Sequence, residues 1–150
     1  MVTADKAKAG GIITPDELNK LQDEKDTAAV REALEKKQRA EHEQHDLHEA
    51  FMSRKIGPEA FERFNTAVRK AAEDGRREIM IGQFPASWCS DAGRRINNAL
   101  EDWPESLQGV AKEVYDYHVK TLAPLGYKMR VEVLNYPGGV PGDIGVFFRW

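Results

Sequence analysis

Cys89, Ser90, Asp91, Gly93, Arg94 and Arg95 crowd together directly after an alternating apolar run and directly before a stretch of helix-forming residues. A helix that starts just past a strand leaves backbone N–H groups unpaired. Such a start can hold an anion or depress the pKa of a nearby thiol. In that chemistry Cys89 is the nucleophile, Asp91 or His118 handles the proton, and Ser90, Arg94 and Arg95 bind the anionic group. His118 is the one histidine in the carboxyl-terminal half, but spacing does not pair it with Cys89. The same residues also have a plainer reading. Cys89 is then a small buried hydrophobe, Asp91 a partner for the helix dipole, and the arginines solvated surface groups.

A second candidate is the run from Tyr136 to Gly145, where Gly138, Gly139 and Asp143 could wrap backbone amides around a phosphate. It lacks the strand-to-helix context, the lysine and the hydroxyl residue of a phosphate-binding loop. A wide hairpin turn accounts for the same glycines and prolines through positive and fixed φ, with Asp143 as a turn residue. A third candidate is His42, His45 and His48, spaced by three and flanked by Glu41 and Glu49. Imidazole and carboxylate at that spacing suit a transition metal, yet the pattern has no metalloprotease motif and needs ligands from elsewhere. The alternative is a solvated charged face, so no metal or other cofactor is assigned. Arg69 with Lys70, Arg76 with Arg77, and Arg94 with Arg95 could converge into a basic patch, but Glu62, Glu73, Asp74 and Glu78 dilute it.

Composition narrows the classes. The 150 residues carry a formal charge of -3, which argues against a nucleic-acid binder, because phosphate neutralisation needs clustered excess cation. A single cysteine permits no intrachain disulfide, as suits a reducing cytoplasm. No window approaches the ~18 apolar residues of a membrane span. A soluble, cytoplasmic protein is the expectation.

The elements that must position these residues follow in order. Residues 1–11 offer nothing to bury and are expected to be disordered. Thr14, Pro15 and Glu17 form a capping box with proline at the first helical position, opening a short helix through Glu24. Asp26 or Thr27 caps a second helix that runs to Ile56, with a seam through Val30, Leu34, Leu47 and Phe51 whose middle holds Lys37, Glu41, Gln44 and His48. Gly57 and Pro58 end that helix and start the next, which presents Ala60, Phe61, Phe64, Ala67, Val68, Ala71 and Ala72 before Gly75.

Glu78 to Phe84 alternates as a first strand, with Ile79 and Ile81 on one face. Ser90 caps a helix from Asp91 to about Glu101, and a longer helix carries Leu107, Val110, Ala111, Val114, Tyr117 and His118. Met129 to Leu134 and Ile144 to Trp150 form a hairpin around the Gly-Pro loop. If the two helices between the first and second strands run down and back, those strands are antiparallel and the loops after Phe84 and around Gly138 lie at opposite ends. If the helix from Asp91 lies across the sheet instead, the strands are parallel and the two loops share one edge.

The expected architecture is therefore α+β: a small, mainly antiparallel three-stranded sheet with a carboxyl-terminal hairpin, covered by helices. A long helical arm over residues 12–56 precedes the compact domain over 57–150. A long polar helix with short apolar ends seldom stays isolated. The leading expectation is a non-enzymatic module that binds a protein partner, or a second copy of itself, through residues 15–56. The competing expectation is a small anion-binding or thiol-dependent enzyme centred on Cys89 and the helix start that follows it.

Overall fold

The computed structural model describes residues 11–150, so the tail expected over 1–11 lies, apart from Gly11, outside the described residues. The chain is α+β, with a long amino-terminal helix, further helices and a three-stranded antiparallel sheet. It divides into two units, one ending at Asp46 and one running from Leu47 to Trp150.

Helix α1 spans Pro15–Ser53. Its start is the capping box: the Thr14 amide donates to Glu17 Oε2 and the Glu17 amide to Thr14 Oγ1, each at 3.2 Å. The break expected between Glu24 and Asp26 does not occur. No glycine or proline lies between Pro15 and Gly57, so Asp26 and Thr27 remain inside the helix at a small propensity cost. At 1.5 Å per residue the helix is about 58 Å long. Within 11–46 no residue is buried, and only Thr14 and Glu17 are even partly covered.

The second unit begins inside this helix. Phe51 packs its ring against Phe84 and Trp88, with centroids 5.1 and 4.8 Å away, and joins a core of Ala86, Cys89, Ile96, Leu107, Ala111, Ile144 and Val146. Helix α2 (Glu59–Glu73) follows the break at Gly57 and Pro58. Its inward stripe is narrower than the sequence pattern: Ala60, Phe64, Val68 and Ala71 are covered, while Ala67 and Ala72 are exposed. Phe64 meets the rings of Tyr127 and Phe148. Gly75 closes the helix with φ of 81°, the left-handed turn that glycine adopts without strain.

Strand β1 (Glu78–Pro85) departs from simple alternation. Its register shifts between Met80 and Gly82, so Ile81 is an extra residue at a bulge and the parity reverses beyond it. Ile79 and Phe84 face the core, while Ile81, expected beside Ile79, is 39% exposed. Strand β2 (Lys128–Val133) alternates as expected, with Met129, Val131 and Val133 inward. Strand β3 (Asp143–Arg149) buries Ile144, Val146 and Phe148.

The strand order is β1-β3-β2, with β3 antiparallel to both neighbours. Strands β1 and β2 therefore run in the same direction, the second of the two geometries. The count of two return helices fails because the helix expected from Asp91 to Glu101 is a single turn, α3 (Arg94–Asn97), flanked by Ala92 and Ala99 at positive φ. The longer helix between β1 and β2 is α4 (Gly109–Tyr117), which continues as a π turn over His118–Leu122. On the face turned away from the helices, Arg130 lies 4.1 Å from the Phe147 ring centroid and pairs with Glu78 at 2.6 Å and with Glu132. The Arg130 guanidinium holds the Glu78 carboxyl below its ordinary pKa.

Candidate functional site

The strand order brings the two glycine-containing loops to the same end of the sheet. Pro85 pairs with Asp143, and the Ala86 amide donates to the Gly142 carbonyl at 2.7 Å. Gly93, at φ of 82°, is closely enclosed: a Cβ there would lie 3.1 Å from Ala86 Cβ in its own loop, 3.3 Å from Ile144 Cδ1 on β3 and 3.7 Å from Pro141 Cβ on the partner loop. Tyr136 Oη donates to Asn97 Oδ1 at 2.7 Å across the seam. The loops pack directly on each other.

Each loop is fixed internally. The Asp143 amide donates to Asn135 Oδ1 at 3.0 Å, and Asn135 Nδ2 donates back to Asp143 Oδ2 at 3.1 Å. Gly142 has no room for a side chain, since a Cβ would fall 2.6 Å from Pro137 Cδ. Asp143 is thus a clamp residue of the turn. Gly138 and Gly139 take φ of 64° and 82° in a 3₁₀ turn over Pro137–Gly139, as a wide hairpin loop demands.

In the other loop the Asp91 carboxylate caps α3, accepting from the Gly93 and Arg95 amides at 3.0 Å each. Asp91 therefore takes the capping role expected of Ser90, whose own amide donates to the Ser106 carbonyl at 2.9 Å. A carboxylate already occupies the helix start where an incoming anion would have to bind. Arg95 is engaged by Asp102 at 3.1 Å and Asp91 at 3.9 Å. Arg94 is exposed and makes no ion pair among the described residues.

Cys89 is 5% exposed, within the core. Burial pushes its thiol up to about 11, the Asp91 charge adds to that rise, and a hydrogen bond with Ser106 opposes it. His118 is engaged elsewhere: Nε2–H donates to the Tyr127 carbonyl at 2.9 Å and the ring lies 5.5 Å from that of Phe148. Among the described residues its buried Nδ1 has no hydrogen-bond partner. Among the described residues Cys89 interacts with Ser106 and Asp91, and His118 with Tyr127 and Phe148.

At pH 7 a thiol titrating near 11 is thiolate in only about one molecule in 10⁴. Iodoacetamide is accordingly expected to label the folded protein far more slowly than the urea-unfolded chain. Equal rates would show that Cys89 is not held in this core.

The histidines of α1 are separated by their surroundings. His42 lies 3.4 Å from Asp46, and His48 stacks on Trp88 at 5.0 Å. Among the described residues no group of three or more His, Cys, Asp or Glu side chains could hold a metal ion. The basic pairs divide too: Arg77 lies beside Trp150 at the start of β1, where Arg149 pairs with Lys128, whereas Arg94 and Arg95 lie at the other end.

Sequence reasoning missed three features that shape this region. These are the Asn135–Asp143 clamp, the Tyr136–Asn97 bridge and Ser106, which is fully buried with Oγ donating to the Trp103 carbonyl at 2.7 Å. An asparagine and an aspartate bracketing a Gly-Pro loop was the available signal for the first. The second depends on the strand order that brings the two loops together, and the third on the 3₁₀ turn over Trp103–Ser106. No protein-family model, curated protein or solved structure matches the chain.

Proposed function

We propose that this protein is an interaction or assembly module that works through α1, with the second unit as its folded base. The observation that carries the reading is that residues 15–46 form helix without burying a side chain, leaving Val30 69% and Leu34 54% exposed. Most helical stability in proteins comes from packing an apolar face, and a few surface pairs contribute only about 0.2–0.5 kcal/mol each. The pairs Lys37–Glu41 and His42–Asp46 are of that kind. A second helix laid along Val30 and Leu34 would supply the missing burial.

The thiol-enzyme alternative has less support, because Cys89 is buried, its pKa is raised, and the neighbouring Asp91 carboxylate is engaged by the Gly93 and Arg95 amides. Sedimentation velocity and far-ultraviolet circular dichroism of the full chain test the assembly reading against a Val30→Glu/Leu34→Glu variant. The expected result is a self-associating parent and a variant with lower mass and reduced helicity. A monomeric parent whose residues 15–46 are frayed would direct the search to a different protein partner. A monomeric parent with that helix fully formed would overturn the reading, since the helix would then need no partner.

A further inference from the structure

Helix α1 carries its charges in blocks. Asp23, Glu24 and Asp26, around Lys25, make an acidic cluster, Lys36, Lys37 and Arg39 make a basic one, and the exposed apolar pair Val30 and Leu34 lies between them. Among the described residues Lys37 has Glu41 at 4.0 Å, while Asp23, Glu24, Asp26, Lys36 and Arg39 enter no ion pair. Thr27, Val30, Leu34 and Lys37 follow the three-and-four spacing of a single helical seam. Glu32 falls outside it, two residues from each apolar member and so on the far side of the helix. The centre of the two charge clusters, the centre of the apolar pair and the centre of the uncovered stretch 15–46 all fall between about residue 30 and residue 32. Opposite features spaced evenly about one point make a helix complementary to itself turned end for end.

We propose that the partner of α1 is α1 of a second copy of this chain, laid antiparallel about a two-fold axis level with residue 32. This inference rests on the reading of α1 as the working element and names what covers it. In that arrangement Val30 of each copy packs on Leu34 of the other, and the next layers outward set Thr27 against Lys37. Lys36, Lys37 and Arg39 of one copy lie level with residues 25–28 of the other, beside Asp23, Glu24 and Asp26. The contact is isologous, so this attraction occurs at both ends of the seam. A parallel, in-register pair would instead stack acidic cluster on acidic and basic on basic. Antiparallel overlap over 18–46 is about 43 Å long and covers nearly all of the helix that buries nothing. An unrelated helix would gain nothing from the shared midpoint, whereas a copy of the same sequence uses it twice.

Carbodiimide coupling of an equal mixture of isotope-labelled and unlabelled full chains, read by mass spectrometry, tests the pairing alongside sedimentation velocity. The reagent joins a lysine to a carboxylate only where the two touch. Within one helix Lys36 and Asp26 are about 15 Å apart along the axis, so mixed-isotope links from Lys36 or Lys37 to Asp23, Glu24 or Asp26 mark the antiparallel pair, and they are the expected result. Lys36→Glu/Lys37→Glu/Arg39→Glu should weaken self-association roughly tenfold, as should Asp23→Lys/Glu24→Lys/Asp26→Lys, and mixing the two variants should restore it. Restoration also shows that both variants keep their fold. A dimeric parent without those links, or reversed variants that associate as tightly as the parent, would overturn the antiparallel pairing while leaving the assembly reading in place. A monomeric parent would overturn the pairing as well, and the helicity of residues 15–46 then decides separately whether a different protein occupies α1.

Discussion

Alanine at Gly109 is expected to destabilise the second unit by about 2–5 kcal/mol, the sum of a left-handed backbone penalty and an overpacking penalty. Gly109 has φ of 57°, and a Cβ there would meet the Phe51 backbone, with Met52 Cα at 2.8 Å and the Phe51 carbonyl carbon at 2.9 Å. Those atoms belong to a helix backbone and cannot rotate away as a side-chain tip could. The last turns of α1 would have to lift off the start of α4, drawing the Phe51 ring away from Phe84 and Trp88. Chemical denaturation followed by tryptophan fluorescence measures the loss. Gly138→Ala is the control: its φ is 64° but nothing stands within 4 Å, so it carries only the backbone penalty of about 1–2 kcal/mol. Equal losses for the two variants would show that the close approach at Gly109 is absent.

Phe148→Ala should cost about 3–5 kcal/mol, the usual range for removing a buried aromatic ring. Phe148 is 2% exposed on the central strand, where it pairs with Ile79 on one side and Met129 on the other. The rings of Phe64 and His118 close over it. Loss of the ring opens a cavity between α2, the π turn and the sheet, and frees His118 to change its hydrogen bond to Tyr127. Phe148→Leu, which fills most of that volume, should cost about 1.5 kcal/mol or less. If alanine and leucine were equally mild by calorimetry, Phe148 would not be the keystone of this layer.

The features legible in the sequence were those fixed by neighbours along the chain. Thr14 and Glu17 close a capping box because both partners lie within one turn, and Pro58 and Gly75 mark helix ends through their own backbone chemistry, whereas the first helix, expected to run to Ile56 and Gly57, ends at Ser53. The alternation of Met129, Val131 and Val133 survives because β2 is regular throughout. Where a distant partner decided the outcome, the reading failed. The bulge at Ile81 is a property of pairing with β3, so the run Ile79, Met80, Ile81 cannot announce it. The helix expected from Asp91 to Glu101 shrank to one turn because Asp91 caps late and Ala99 turns left-handed.

The candidate site follows the same division. Gly138, Gly139 and Asp143 were readable as turn chemistry, and Cys89 as a buried residue. That their loops meet depends on the strand order, which parity of helices misjudged because α3 is too short to count as a crossing.

The strand that fastens the sheet together is also the last to be made. Glu78 finds its partner in Arg149, and β2 pairs with the same strand, so neither outer strand has a neighbour until the ribosome has released the residues up to Arg149. At about 5–20 residues per second, translation leaves the oily segment Ile79 to Phe84 unpaired for several seconds. During that interval the nascent chain can build its helices but not this sheet, whatever follows Trp150.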